Sequence, residues 1–415
     1  MAKIHAFKGF RPRKENVNEV ASRPYDVLNS AEAREEVKGN PWSFLHVVKP
    51  EVDLPEGCDL HSDQVYNKGR ENLQKLIDEA YFIQDESEHL YVYGQSMYGK
   101  TQYGIVACAA VDDYMDDIIK KHELTRPDKE EDRMNHIRVT NFNAEPVFFA
   151  YPDHSELDKI VGEVVSEKPE YDFVTEDGVG HHFWVISEKP VIHRIEELFD
   201  QDIKYTYVAD GHHRTAAAAL VGQERRKNNP QHTGQEEYNY FLAVHFPASQ
   251  LSIIDYNRVV KDLNGISSAE FLEELEQGFI VTEKGPEIYK PEELHTFSMY
   301  LEGLWYELKA RPGTYNDMDP IASLDVTVLS EQVLGPLLNI TDLRKSKRID
   351  FVGGIRGLEE LSLRVDSGEM AAAFALYPVS MKQLMDIADN GMIMPPKTTW
   401  FEPKLRSGLV IHSLD

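Results

Sequence analysis

The sequence predicts a mixed α+β fold, and two observations carry that expectation. Strand-like segments at 181–187, 204–209 and 239–246 alternate with helical stretches at 190–201 and 212–227, the order in which strands and covering helices follow one another in α/β layers. Elsewhere, strand patterns at 89–94 and 102–111, and at 296–301 and 305–308, are separated by short turn sequences, which makes antiparallel hairpins.

In chain order, the first sixty residues mix short apolar pieces with turn signals such as Arg23-Pro24-Tyr25-Asp26. A helix opens at Asn29, with Glu32 three residues on to complete a reciprocal cap. An amphipathic helix follows over 63–80, its apolar face set by Val65, Leu73, Leu76 and Ile77. The dense polar stretch 120–143 leads into an apolar strand at 146–151. In the second half Ser267 and Glu270 box a helix reaching about Gly278, and Ser380 with Gln383 box another that Gly391 ends. A strand at 371–377 precedes the latter helix, and Pro395-Pro396 enforces extended chain after it. No repeat, low-complexity tract or long linker interrupts this pattern. The polar loops near 112–120 and 310–322 are the best places for domain boundaries.

Composition excludes several functions. The 415 residues hold 71 Asp+Glu against 44 Lys+Arg, a formal charge of −27, so a DNA backbone or an anionic membrane would be repelled. Cys58 and Cys108 are the only cysteines, too few for a disulfide scaffold or a thiolate zinc site and in keeping with a reducing compartment. No apolar run approaches the ~18 residues of a membrane span, and the N-terminus lacks the apolar core of a signal peptide. A cytoplasmic protein with neither nucleic-acid nor membrane partners is expected.

Three segments have the makings of a reactive site. The first is Asp210-Gly211-His212-His213-Arg214, where a β-branched and aromatic strand ends and an alanine-rich helix begins. A helix N-terminus offers unpaired N–H groups and partial positive charge to an anion. His212, His213 and Arg214 add donors there, and Asp210 could order them or hold a phosphate-bound Mg²⁺. The plainer alternative is a helix cap with histidines decorating a turn. The second is Lys121-His122-Glu123-Leu124-Thr125-Arg126. It fails as a zinc-protease motif because Arg126 stands where the second histidine belongs. A carboxylate in such a polar cluster can act as a general base, or the run can be a solvated loop in which Asp128 and Glu131 cap a helix. The third, residues 94–101, matches the phosphate-cradling P-loop letter for letter. That motif must open a helix, whereas Gln102-Tyr103-Gly104-Ile105-Val106 favours a strand, so a hairpin with Gly99-Lys100 at its tip is the more economical reading.

The His122-Glu123 pair, the Asp210–Arg214 motif and Pro396-Lys397-Thr398-Thr399 together resemble the free-serine kinases of the ParB/sulfiredoxin-like superfamily, which carry the same three motifs in this order. Over nearly its whole length the chain also resembles a bacterial domain-of-unknown-function family containing this module. The recurring pieces are Pro24-Tyr25-Asp26-Val27, Asn40-Pro41-Trp42-Ser43-Phe44-Leu45-His46-Val47, and the run from His122 to Arg133.

The resemblance implies a ParB/sulfiredoxin-like core with an N-terminal elaboration and a C-terminal α/β region. The regions would be 1–115, a nucleotide-binding core over 116–265, and 266–415 completing the substrate pocket. It implies a small-molecule kinase moving a phosphoryl group from ADP or ATP, with Mg²⁺, to a hydroxyl acceptor, expected to be free L-serine. Glu123 would be the base, with Asp210 assisting or binding Mg²⁺. Gly211, His212, His213 and Arg214 would hold the nucleotide, and His122, Lys397, Thr398 and Thr399 the acceptor. Here Trp400-Phe401 follows the threonine pair where the kinases have Arg-His, which leaves the acceptor open. The alternatives are a non-catalytic nucleotide-binding regulator and a P-loop NTPase using residues 94–101.

Overall fold

The computed structural model describes residues 1–415 and divides them into two compact units, Met1–Leu251 with Pro403–Asp415, and Ser252–Glu402. The α+β expectation holds in both.

The first unit is built on a nine-stranded mixed sheet. Its strands are β1 (Ile4–His5), β2 (Leu90–Met97), β3 (Lys100–Ala110), β4 (Ile119–Lys120), β5 (Val147–Tyr151), β6 (Tyr171–Val174), β7 (Gly180–Ile186), β8 (Thr206–Asp210) and β9 (Tyr240–Pro247). Their order across the sheet is β4-β8-β5-β9-β3-β2-β7-β6, with β1 added beside β3. Residues on both sides of the boundary expected near 112–120 thus contribute strands to one sheet.

Both faces of β5 are buried, which is why it reads as an unbroken apolar run, Val-Phe-Phe-Ala-Tyr. On one face the helices Ser155–Val165 and Lys189–Asp202 press Leu157, Ile195 and Phe199 against Val92 and Ile105. Farther across the same face, the helices Pro127–Thr140 and His212–Asn228 bring Ile137, Ala217 and Val221 onto Phe149 and Val208, and His245 touches both Phe149 and Phe199 between the two groups. The N-terminal segment forms its own apolar cluster, in which Leu73 and Leu76 of the helix Asp63–Asp78 meet Phe44 and Phe82. The helix Ser30–Glu36 opens on the reciprocal cap between Asn29 and Glu32.

The P-loop alternative does not form. β2 runs through to Met97, Tyr98 and Gly99 turn the chain with φ of 51° and 76°, and Lys100 already begins β3. Two successive positive φ values suit the twist of a tight hairpin, and no helix follows to supply phosphate donors. Gly104 serves strand packing instead: a Cβ there would come within 2.5 Å of Val244.

The second unit holds a six-stranded sheet, β12-β14-β13-β16-β11-β15 in spatial order. Its strands are β11 (Tyr256–Val260), β12 (Phe279–Gly285), β13 (Thr296–Leu301), β14 (Leu304–Ala310), β15 (Ile349–Gly353) and β16 (Ala372–Ala375). A short pair, β10 (Ile253–Ile254) with β17 (Trp400–Phe401), lies outside it. The expected β13–β14 hairpin turns at Glu302 and Gly303, both at positive φ. Both expected capping boxes are present, Ser267 with Glu270 and Ser380 with Gln383. No helix of either unit is long and apolar enough to cross a membrane.

Candidate active site at the Asp210–Gly211 turn

The site forms where β8 ends and the helix His212–Asn228 begins. The register of β8 against β5 shifts between Val208 and Asp210, a bulge of the kind that re-aims the last side chain of a strand. Gly211 follows with φ of 90°, a left-handed conformation that reverses the chain at little cost only without a Cβ. A Cβ at Gly211 would lie 3.2 Å from the Arg214 guanidinium, which packs against this turn. The helix therefore starts abruptly, with its first-turn N–H groups beyond reach of intrahelical acceptors.

Each residue of the motif has a distinct partner. Asp210 is held between two cations, Oδ1 at 3.3 Å from Lys404 Nζ and Oδ2 at 3.2 Å from Arg214. Burial pushes the Asp210 carboxyl up, but Lys404 and Arg214 outweigh it and hold it at about 2. Arg214 is buried beneath the turn. It donates to the Pro146 carbonyl at 2.7 Å and lies 3.7 Å from Asp26, so its fork is turned into the protein. Asp26, Glu145 and Asp210 keep it charged against the effect of burial. His213 Nε2 accepts the Arg126 N–H at 3.1 Å and ties the 122–126 segment to the helix.

That segment brings the second motif alongside the first. The His122 and His212 rings meet edge to face with centroids 4.4 Å apart. Burial pushes His122 down to about 4 and, with His122 beside it, pushes His212 well below its ordinary value, so both rings are neutral at pH 7. His212 Nε2 is buried without a hydrogen-bond partner. Half-exposed Glu123 stands at the mouth, its Oε2 at 3.6 Å from His212 Nδ1. A carboxylate, a helix N-terminus and a lysine thus surround one small region.

The site also recruits residues that motif reading left unassigned. Lys404 has no local signal, since it reaches Asp210 across 194 residues of sequence. Gln95 fixes it by donating to the Lys404 carbonyl at 2.9 Å. Arg406, two residues on, is buried against His181, Thr175 and Asp177 and secures the same segment. The Pro24-Tyr25-Asp26-Val27 motif lies under the site: the Tyr25 N–H donates to Glu145 and the Arg133 guanidinium stacks over the Tyr25 ring. Burial raises the Glu145 carboxyl, while Arg214 and Arg133 draw it back.

Two expectations need adjustment. Both Asp210 oxygens already face cations, so the donor set does not fit a Mg²⁺ ion held by Asp210 itself. The expected caps at Asp128 and Glu131 are replaced by Arg126 at the cap position and Pro127 in the first turn, where a missing N–H costs nothing. The other expected residues, Lys397, Thr398 and Thr399, belong to the second unit. Lys397 is exposed with φ of 59°, and Thr398 is buried with its hydroxyl donating to the Pro395 carbonyl at 2.6 Å.

The family described as "Protein of unknown function (DUF1015)" matches residues 4–327. No curated protein matches the chain. Among solved structures, the chain is similar to a variant of a free serine kinase in complex with AMP, with 14% identity, a TM-score of 0.36, and coverage of 75% of this chain and 93% of that one. A variant of a free serine kinase in complex with ADP gives 14% identity and a TM-score of 0.34, over 75% and 93% of the two chains. A conserved hypothetical protein from Pyrococcus furiosus gives 15% identity and a TM-score of 0.34, over 74% and 95%.

Proposed function

We propose, from the premise that this chain belongs to the DUF1015 family of proteins of unknown function, that it is a nucleotide-dependent small-molecule kinase. It transfers a phosphoryl group from ADP or ATP to a hydroxyl acceptor, with free L-serine as the acceptor to test first. The observation that carries this reading is the convergence of Glu123, the unbonded His212 Nε2 and Lys404 on the N-terminus of the helix His212–Asn228. Phosphoryl transfer asks a protein mainly to align its reactants and neutralise charge, and these groups are of the kind required.

In this reading the first-turn N–H groups after Gly211 receive phosphate oxygens, and Lys404 offsets their charge. Arg214 acts from below by fixing Asp210 and the turn. Neutral His122 and His212 leave the mouth without additional positive charge, so Glu123 stays available to take the proton of the acceptor hydroxyl. Mg²⁺, if used, would arrive on the nucleotide phosphates. Lys397, Thr398 and Thr399 are assigned to the acceptor.

The test is direct. Purified protein is incubated with Mg²⁺, with ADP or ATP, and with L-serine, L-threonine and L-homoserine in turn, and products are read by mass. A phosphorylated hydroxy amino acid is expected. Nucleotide binding with no phosphorylated product would leave the regulatory alternative in its place.

A further inference from the structure

The second unit contains a buried charge that nothing in the chain neutralises. Arg258, in the middle of β11, is 0% exposed. Its ladder partners are Phe351 on β15 and Phe374 on β16, and its guanidinium lies 5.4 Å from the centre of the Phe351 ring. Both terminal nitrogens donate to backbone carbonyls, one to Tyr256 and the other to Lys397 at 2.9 Å. Nε is buried without a partner. The acidic residue nearest along the strand, Asp255, takes a hydrogen bond from Asn257, whose side chain alternates to the opposite face of the sheet.

The contrast with other buried arginines is sharp. Arg133 pairs with Asp132, Arg214 with Asp210, and Arg406 with Asp177. Burial pushes the Arg258 guanidinium down to about 10, with no carboxylate to hold it up, yet it stays charged at neutral pH. A lone buried cation is strongly unfavourable, and a protein with a surplus of acidic residues had carboxylates to spare for it. Where the charge is directed is therefore informative: it is spent on the carbonyl of Lys397, held at φ of 59° in the 395–399 loop. The Lys397 ammonium sits 5.5 Å from the centre of the Tyr256 ring, on the same strand as Arg258. Two positive charges thus attend one loop.

We infer that Arg258 is a positioning residue that makes the 395–399 loop an anion site, fixing the Lys397 backbone and lending the loop a positive charge for a carboxylate or phosphate group of the ligand. This rests on the reading above that Lys397, Thr398 and Thr399 take the acceptor, and it sharpens the acceptor class: a hydroxy compound must carry an anionic group to be held by this loop.

The experiment compares the full-length protein with Arg258→Met and Arg258→Lys. Calorimetric titrations use L-serine, L-serinamide, ADP and inorganic phosphate. Replacing a lone buried charge by an apolar side chain of similar volume is often neutral or stabilising, so Arg258→Met is expected to fold with an unreduced melting temperature. Arg258→Met is expected to lose about tenfold in affinity for the anionic ligand seated on the loop, Arg258→Lys to recover part of that loss, and L-serinamide to bind all three proteins within about twofold. A loss confined to L-serine identifies the acceptor carboxylate, and a loss confined to ADP identifies a nucleotide phosphate. Arg258-dependent phosphate binding in a protein that phosphorylates no amino acid would sink the kinase reading and keep this one. Anion affinities unchanged in Arg258→Met, or no anion bound by any of the three proteins, would overturn the inference and reduce Arg258 to a structural residue.

Discussion

Lys404 Nζ lies 3.3 Å from Asp210 Oδ1, joining the C-terminal segment to the turn that opens the helix His212–Asn228. Lys404 is the first of the influences that hold the Asp210 carboxyl at about 2 against burial. The folded value lies below the unfolded one of about 3.9, so this contribution to stability is complete above about pH 4 and is lost as pH falls towards 2. Lys404→Met should raise the Asp210 value and move the acid-unfolding limb to higher pH. It should also weaken ADP binding by roughly tenfold or more, the scale of one charge-assisted hydrogen bond. Acid titration followed by circular dichroism, with calorimetry for ADP, checks both.

Gly211 presents a purely conformational test. Its φ of 90° is left-handed, and a Cβ would press on the Arg214 guanidinium from 3.2 Å. Gly211→Ala should cost roughly 1–3 kcal/mol, read as a lower midpoint in urea. An unchanged midpoint would mean the turn relaxes without strain, and the reason given for the glycine would fail.

Sequence reading succeeded where one residue type answers one local demand. The capping boxes at Asn29, Ser267 and Ser380 and the turn at Glu302-Gly303 are set by neighbours a few residues away, and the first hairpin forms with its tip at Tyr98-Gly99, one residue before the expected Gly99-Lys100. It offered the helix Pro127–Thr140 only as one alternative within a polar stretch, because that helix buries Asp132 and His136 alongside Ile137. Asp132 is accommodated by His61, Tyr66 and Arg133, so a polar side chain fills a core position and erases the apolar periodicity. Within the site, the Asp210–Arg214 motif and His122-Glu123 were visible as strings. The inward turn of Arg214 and the arrival of Lys404 were not, since both depend on which distant segments the sheet brings to the end of β8.

The hairpin tip provides a control. Lys100 opens β3 beside a two-residue turn and has no helix N-terminus behind it. Lys100→Ala should therefore leave ADP and ATP affinities unaltered in fluorescence titrations. A large loss would return phosphate binding to residues 94–101 and displace the Asp210 site.

His245 gives a second pH test, away from the site. It is 1% exposed in β9, packed edge-on to Phe149 and Phe199, and neither ring nitrogen has a hydrogen-bond partner. Burial pushes it down to about 3, far below the unfolded value of about 6.5. The unfolded chain binds this proton first as pH falls, so the contribution is whole above about pH 6.5 and declines towards pH 3. His245→Leu should flatten that part of the stability profile. At pH 7 it should equal or exceed the parent protein, because an unbonded buried polar group costs about 1–3 kcal/mol. Urea denaturation at a series of pH values measures both effects.

Glu123 bears most directly on the chemistry. Its carboxylate stands half-exposed at the mouth, 3.6 Å from the Nδ1 of a neutral, buried His212. Gln is isosteric but cannot accept the hydroxyl proton, so Glu123→Gln should bind ADP normally and lower phosphoryl transfer by roughly 10²–10⁴, the range for general-base catalysis. Glu123→Asp withdraws the same base by one methylene and should fall between the two. Initial rates of phosphorylated product, measured by mass at saturating nucleotide, order the three proteins. Undiminished turnover in Glu123→Gln would remove Glu123 as the base; parallel losses of ADP affinity and turnover would make it part of the nucleotide site instead.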